Sequence, residues 1–86
     1  MRILFENMSD EEKLHVAMVN SYDVIVNNMP PEGIIVEQNG IGLFAHDFER
    51  PLEKHDVSSI IDYFVEIEEY ERCVRLDCIL RSLPDE

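Results

Sequence analysis

Ile34-Ile35-Val36-Glu37-Gln38-Asn39-Gly40-Ile41-Gly42-Leu43-Phe44-Ala45 is the stretch on which the fold class turns. Two runs rich in β-branched and aromatic residues flank Asn39-Gly40. Asn and Gly tolerate the positive φ angles of a two-residue type I′ turn, so the pattern predicts a β-hairpin over about residues 34–46. With Gln38 opposite Ile41, one face carries Ile34, Val36, Ile41, Leu43 and Ala45. The other carries Ile35, Glu37, Gly42, Phe44 and His46. A two-stranded ribbon alone is marginal, so the first face is expected to pack on helices. The second needs a cover or a partner for Ile35 and Phe44.

Helical signals stand on both sides of this stretch. Ser9-Asp10-Glu11-Glu12 is a capping-box pattern, with acids at the positive end of the helix it opens. At about 100° per residue, Leu14, Ala17, Met18, Ser21, Tyr22, Ile25 and Met29 then share one face. Glu12, Asn20, Asp23 and Asn27 fall on the other. Tyr22 to Val26 also suits a strand by β-propensity, but the periodicity continuing from Leu14 favours a helix over about 9–28. Pro30-Pro31 supplies its stop. Downstream, His46 to His55 is a polar connection interrupted by Pro51. A helix over about 57–68 follows, with Val57, Ile60, Ile61, Phe64 and Ile67 inward and Asp62, Glu66 and Glu69 outward. A second helix over about 70–83 has Cys73, Leu76, Leu80 and Leu83 as its inner stripe, and Pro84 ends it. The expected architecture is a single α+β domain: helix, β-hairpin, helical hairpin, with Met1–Phe5 as a candidate edge strand.

Composition narrows the function. Nineteen acidic and seven basic residues among 86 give a net charge of −12. Direct nucleic-acid binding relies on clustered Lys and Arg that neutralise phosphates, so the chain is expected to be repelled by DNA, RNA and anionic lipid. Basic proteins should attract it. Cys73 and Cys78 are five apart, about 140° around a helix axis, which argues against a disulfide between them. Free thiols, no signal-peptide pattern and no apolar run of membrane-spanning length point to a cytoplasmic protein.

The acidic residues are not evenly spread. Asp62, Glu66, Glu68, Glu69 and Glu71 lie within ten positions that contain no basic residue. Asp62, Glu66 and Glu69 follow the spacing i, i+4, i+7, at which like charges repel by a few tenths of a kcal/mol per close pair. A solvated helix face kept polar for solubility accounts for this stripe. So does a phosphate-mimicking surface that meets a basic protein, and a face shaped by stability alone would mix signs. Arg72 and Arg75 place positive charge just past Tyr70. The residues expected to bind a protein partner are Asp62, Glu66, Glu69, Glu71, Tyr70, Arg72 and Arg75, with Ile35 and Phe44 as apolar anchors.

Glu68 to Leu80 resembles the helical-hairpin motif of the UVR family, found in bacterial excision-repair proteins and several regulators. The likeness rests on Tyr70 at the corner, then Glu71, Cys73-Val74, Leu76 and Leu80; Asp77-Cys78 stands where the family usually has Arg-Asp. It covers about a quarter of the chain and implies a protein–protein docking hairpin.

No catalytic signature is present. His46, Asp47, Glu49, His55 and Asp56 have metal-ligand chemistry but match no zinc or non-haem iron spacing, and Asp47 or Asp56 suits a capping role better. No cofactor and no metal are expected. The reading is a small acidic, non-enzymatic regulator of a basic or nucleic-acid-binding protein, of the size and charge of phage-encoded inhibitors. The alternative is an accessory subunit that dimerises through the β-hairpin face.

Overall fold

The computed structural model describes residues 8–37 and 42–84. Within them lie four helices and no strand: α1 (Asp10–Val26), α2 (Pro31–Glu37), α3 (Lys54–Glu66) and α4 (Tyr70–Ser82). The domain is helical, and the α+β expectation with its β-hairpin is overturned. The Asn39-Gly40 turn and the Met1–Phe5 edge strand fall outside the described residues.

The first half of the supposed hairpin is α2. Pro31 begins it, where a missing N–H costs nothing and φ is already helical, and Glu32 sits in the first turn. The Pro30 carbonyl accepts the N–H groups of Gly33 and Ile34. The pair read as a stop for one helix is thus the start of the next. Ile34 is buried at 3% exposure, whereas Val36 is 76% exposed.

The second half, from Gly42, is a loop tied to α1 by two buried polar side chains. Asn20 donates from Nδ2 to the Leu43 carbonyl at 2.9 Å, and Ser21 Oγ accepts the Ala45 N–H at 2.7 Å. These bonds satisfy backbone groups that a partner strand would have taken. Asn20, expected on the outer face of its helix, is therefore buried at 5% exposure.

The core is a helical layer. Tyr22 of α1, Val57, Ile60 and Phe64 of α3 and Leu76 of α4 form its buried centre. Met18, Val19, Ile25, Ile61, Cys73 and Leu80 are among the half-buried side chains around it. α3 and α4 pack most extensively on each other, and α1 packs against both. Tyr22 meets Phe64 edge-on with ring centroids 5.9 Å apart. Leu14, expected inward, is 46% exposed.

Local chemistry sets the helix ends. Ser9 Oγ accepts the Glu12 N–H while Glu12 Oε1 accepts the Ser9 N–H, a complete capping box. Asp56 Oδ2 accepts the Glu53 N–H at the start of α3. That helix ends in a Schellman-type turn: the Glu68 N–H bonds the Val65 carbonyl and the Glu69 N–H bonds the Phe64 carbonyl. The turn needs a left-handed residue, and it is Glu68, at φ 64°, rather than glycine. Because α3 stops at Glu66, Ile67 leaves the inward stripe and is 41% exposed. Glu68→Gly removes the Cβ clash of the left-handed conformation and should stabilise the protein by about 1 kcal/mol. The expected readout is a melting temperature higher by about 5 °C. An unchanged or lower one would mean that the corner holds no such strain.

Candidate protein-binding face

The helical hairpin places the acidic residues on two helices and the corner between them. Asp62 and Glu66 project from α3, Glu69 precedes α4, and Glu71 lies in its first turn; all four are exposed. Asp62, Glu66 and Glu71 make no ion pair among the described residues, whereas Glu69 lies 3.4 Å from the Arg72 guanidinium. The stripe is therefore not free of basic relief at its C-terminal end. Tyr70 is 58% exposed at the corner and Val74, one turn on, 64%.

Arg72 is not the outward contact that its position suggested. Its guanidinium sits 4.7 Å from the Tyr22 ring centroid and 5.5 Å from that of Phe64, which caps the aromatic core with a cation. Arg75 stays exposed. With Arg72, Glu71, Asp23 and Asn27 it lines a polar cleft of about 300 Å³ between α1 and α4. Both signs of charge therefore occur past Tyr70, and among the described residues there Arg75 is the cation without an ion pair.

Ile35 and Phe44 both lie against Gly42, by a route other than strand pairing. A Cβ built on Gly42 would lie 2.6 Å from Ile35 Cγ1 and 3.0 Å from Phe44 Cε2, so both pack onto this glycine. Phe44 also stands edge-on to Phe48 at 4.8 Å. Both anchors are half-buried. The hairpin face proposed for dimerisation is absent, since its residues lie on a helix and a loop.

The His/Asp/Glu cluster splits in two. Arg50 lies 3.2 Å from Asp47, 3.6 Å from Glu53 and 4.0 Å from Asp56. His55 bridges Glu53 at 3.2 Å and Asp56 at 3.4 Å. Donor atoms of Glu53, His55 and Asp56 lie within 4.8 Å of one another, close enough for a metal ion. The Arg50 guanidinium already lies against two of these groups, and the arrangement reads as an ion-pair network pinning the loop to the start of α3. Glu53 was missed in the sequence, although its position three residues before Asp56 is capping-box spacing. Glu49 takes no part in the network; its N–H bonds Asp47 Oδ1.

His46 turns away from this network to Ser21, with Nδ1 2.8 Å from Oγ. Since Oγ accepts the Ala45 N–H, its own proton is available to the imidazole nitrogen. Burial lowers the His46 pKa, opposed by the carboxylates of Asp56 and Asp47 and assisted by Arg50. Ser21 is fully buried, so this Ser–His pair is a structural latch rather than an exposed nucleophile and its base. Cys73 donates its thiol toward the Ile61 carbonyl at 3.7 Å, and burial, with Glu69 nearby, raises its pKa. Cys78 is exposed, and both cysteines are free thiols.

Among the described residues no helix is long and apolar enough to cross a membrane. No family model matches this chain, and no curated protein or solved structure shows a match to it.

Proposed function

We propose that this chain is a small acidic regulator that acts by binding another protein, with the exposed carboxylates of the α3–α4 hairpin meeting a basic surface. The observation that carries the proposal is a contrast in pairing. Asp47, Glu53 and Asp56 share Arg50, and Asp77 pairs with Arg81 at 2.9 Å. Asp62, Glu66 and Glu71 have no such partner among the described residues. Unpaired like charges one turn apart weaken a helix slightly, and a cationic partner would reverse that cost. The resemblance of residues 68–80 to the UVR hairpin supports the same use of this element. The free thiols suit a reducing, cytoplasmic setting.

Capture from host extract on immobilised protein tests this. Wild type is expected to retain a basic protein at about 0.05 M salt and release it by about 0.5 M, because surface charge pairs are screened. Asp62→Lys with Glu66→Lys should abolish retention while leaving the helical circular-dichroism signal intact. A partner held equally by the double variant would show that the carboxylate face is only solvated.

A further inference from the structure

Beside the acidic face lies an apolar groove of about 430 Å³, between the first turns of α1 and the end of α3. Leu14, Tyr63 and Ile67 line it, and Glu11 and Glu66 stand on its α1 and α3 sides. The volume is within the range of sites that enclose a ligand. Leu14 and Ile67 are 46% and 41% exposed. The Tyr63 hydroxyl is held by His15 Nδ1 at 2.7 Å, which fixes the phenol ring as a wall. Glu11 and Glu66 have no ion pair among the described residues. Glu11 also borders a second apolar hollow of about 410 Å³, lined by Met8, His15 and Val16 with Glu11 and Glu12.

From this arrangement we infer that the α1–α3 groove is the seat for a basic amphipathic helix of the partner protein. Apolar side chains of that helix fill the hollows, and its Lys or Arg residues meet Glu11 and Glu66. Charge complementarity selects this occupant: an apolar surface flanked by two unpaired carboxylates disfavours an acidic or neutral segment. Two hollows that share Glu11 in their linings call for an elongated ligand with anchors a turn or two apart, which a helix provides at i, i+3, i+4 and i+7. The inference rests on the protein-binding reading above. It adds α1 to the surface and assigns the partner's chemistry.

A fluorescein-labelled helical peptide of about four turns, with Leu at i, i+3, i+4 and i+7 and Lys elsewhere, is the probe, read by fluorescence anisotropy on the full chain. Binding is expected to weaken about tenfold or more when peptide Leu is replaced by Gln, and likewise with Leu14→Asp or Ile67→Asp. Glu11→Gln with Glu66→Gln keeps the side-chain shape and should flatten the salt dependence. Val36→Asp, on the exposed side of α2 and outside the groove, should leave binding unchanged. Equal binding of the Gln peptide, or an equal loss with Val36→Asp, overturns the groove as the seat. A doubled sedimentation mass that Leu14→Asp abolishes also overturns it, since a second copy would then be the occupant. If only Asp62→Lys with Glu71→Lys weakens binding, the groove fails while the carboxylate-face reading stands. If no basic peptide binds any form of the protein, both fail.

Discussion

Phe64→Ala is expected to lower the unfolding free energy by about 4 kcal/mol, the largest effect of any single truncation in this molecule. Phe64 is fully buried at the point where all three long helices meet. It stacks edge-on with Tyr22, touches the Tyr63 ring at 5.3 Å, and lies under the Arg72 guanidinium. Its carbonyl also accepts the Glu69 N–H that closes the α3–α4 corner. Truncation removes the transfer energy of a benzyl group, leaves a cavity that three helices cannot easily close, and strips Arg72 of one of its two rings. A chain of 86 residues has a total stability of only about 4–13 kcal/mol. Chemical denaturation should therefore show a strongly reduced midpoint, and at the low end of that range the variant is unfolded in water. Arg72→Ala, which spares the ring, should cost about 1 kcal/mol. A Phe64→Ala protein within 1.5 kcal/mol of wild type, roughly the cost of a volume-conserving swap, would contradict the packing described.

The second large effect is expected at the buried latch between α1 and the loop. Ser21→Ala leaves the Ala45 N–H and the His46 ring nitrogen without their shared hydroxyl, at a cost of about 2 kcal/mol. Amide exchange should accelerate first around residues 43–46 and least in α3 and α4, because that hydroxyl bonds the loop at Ala45 and His46. The contact also carries a pH signature. The folded-state pKa of His46 is lowered, chiefly by burial, so the fold favours the neutral imidazole beside Ser21. The unfolded chain then binds more protons in this range, and stability rises with pH. The contribution is complete above the ordinary histidine value near 6.5 and is lost as pH falls from there toward the lowered one. Acid also relieves the self-repulsion of a chain of net charge −12, so the comparison must be with His46→Gln. The stability difference between wild type and His46→Gln should shrink from about pH 7.5 to about pH 5 in denaturant titrations. A constant difference would show that the latch does not sense protonation.

The parts of this protein that could be read in advance are those whose cause is local. Ser9 and Glu12 lie three residues apart and satisfy each other's backbone donors wherever α1 packs. The 3.6-residue period puts Val57, Ile60 and Phe64 on one stripe of α3, and Leu76 on the facing stripe of α4. The acidic character of Asp62, Glu66 and Glu71 is a property of composition and spacing. Misreadings cluster where a distant partner decided the outcome. Arg72 lies among charges in the sequence, but Tyr22, fifty residues away, draws its guanidinium over the core. Glu68 carries none of the glycine signal of a left-handed turn, so the true end of α3, and with it the exposure of Ile67, was hidden.

The hairpin shows the division most clearly. Ile34 to Ala45 satisfies the local rules for two strands, and those rules concern propensity and turn geometry. A strand must also have its backbone groups bonded, and those bonds come from elsewhere in the chain. Here Pro31 starts a helix on one side, while Asn20 and Ser21 take the Leu43 and Ala45 backbone groups on the other. By itself the sequence determined the capping of α1, the apolar stripes of α3 and α4 and the surplus of acid. Only the tertiary structure decided that the β-branched run is helical, which carboxylates remain unpaired, and that α1 and α3 leave an apolar groove between two of them. Pairing and burial are properties of residues brought together from far apart, and spacing along the chain does not encode them.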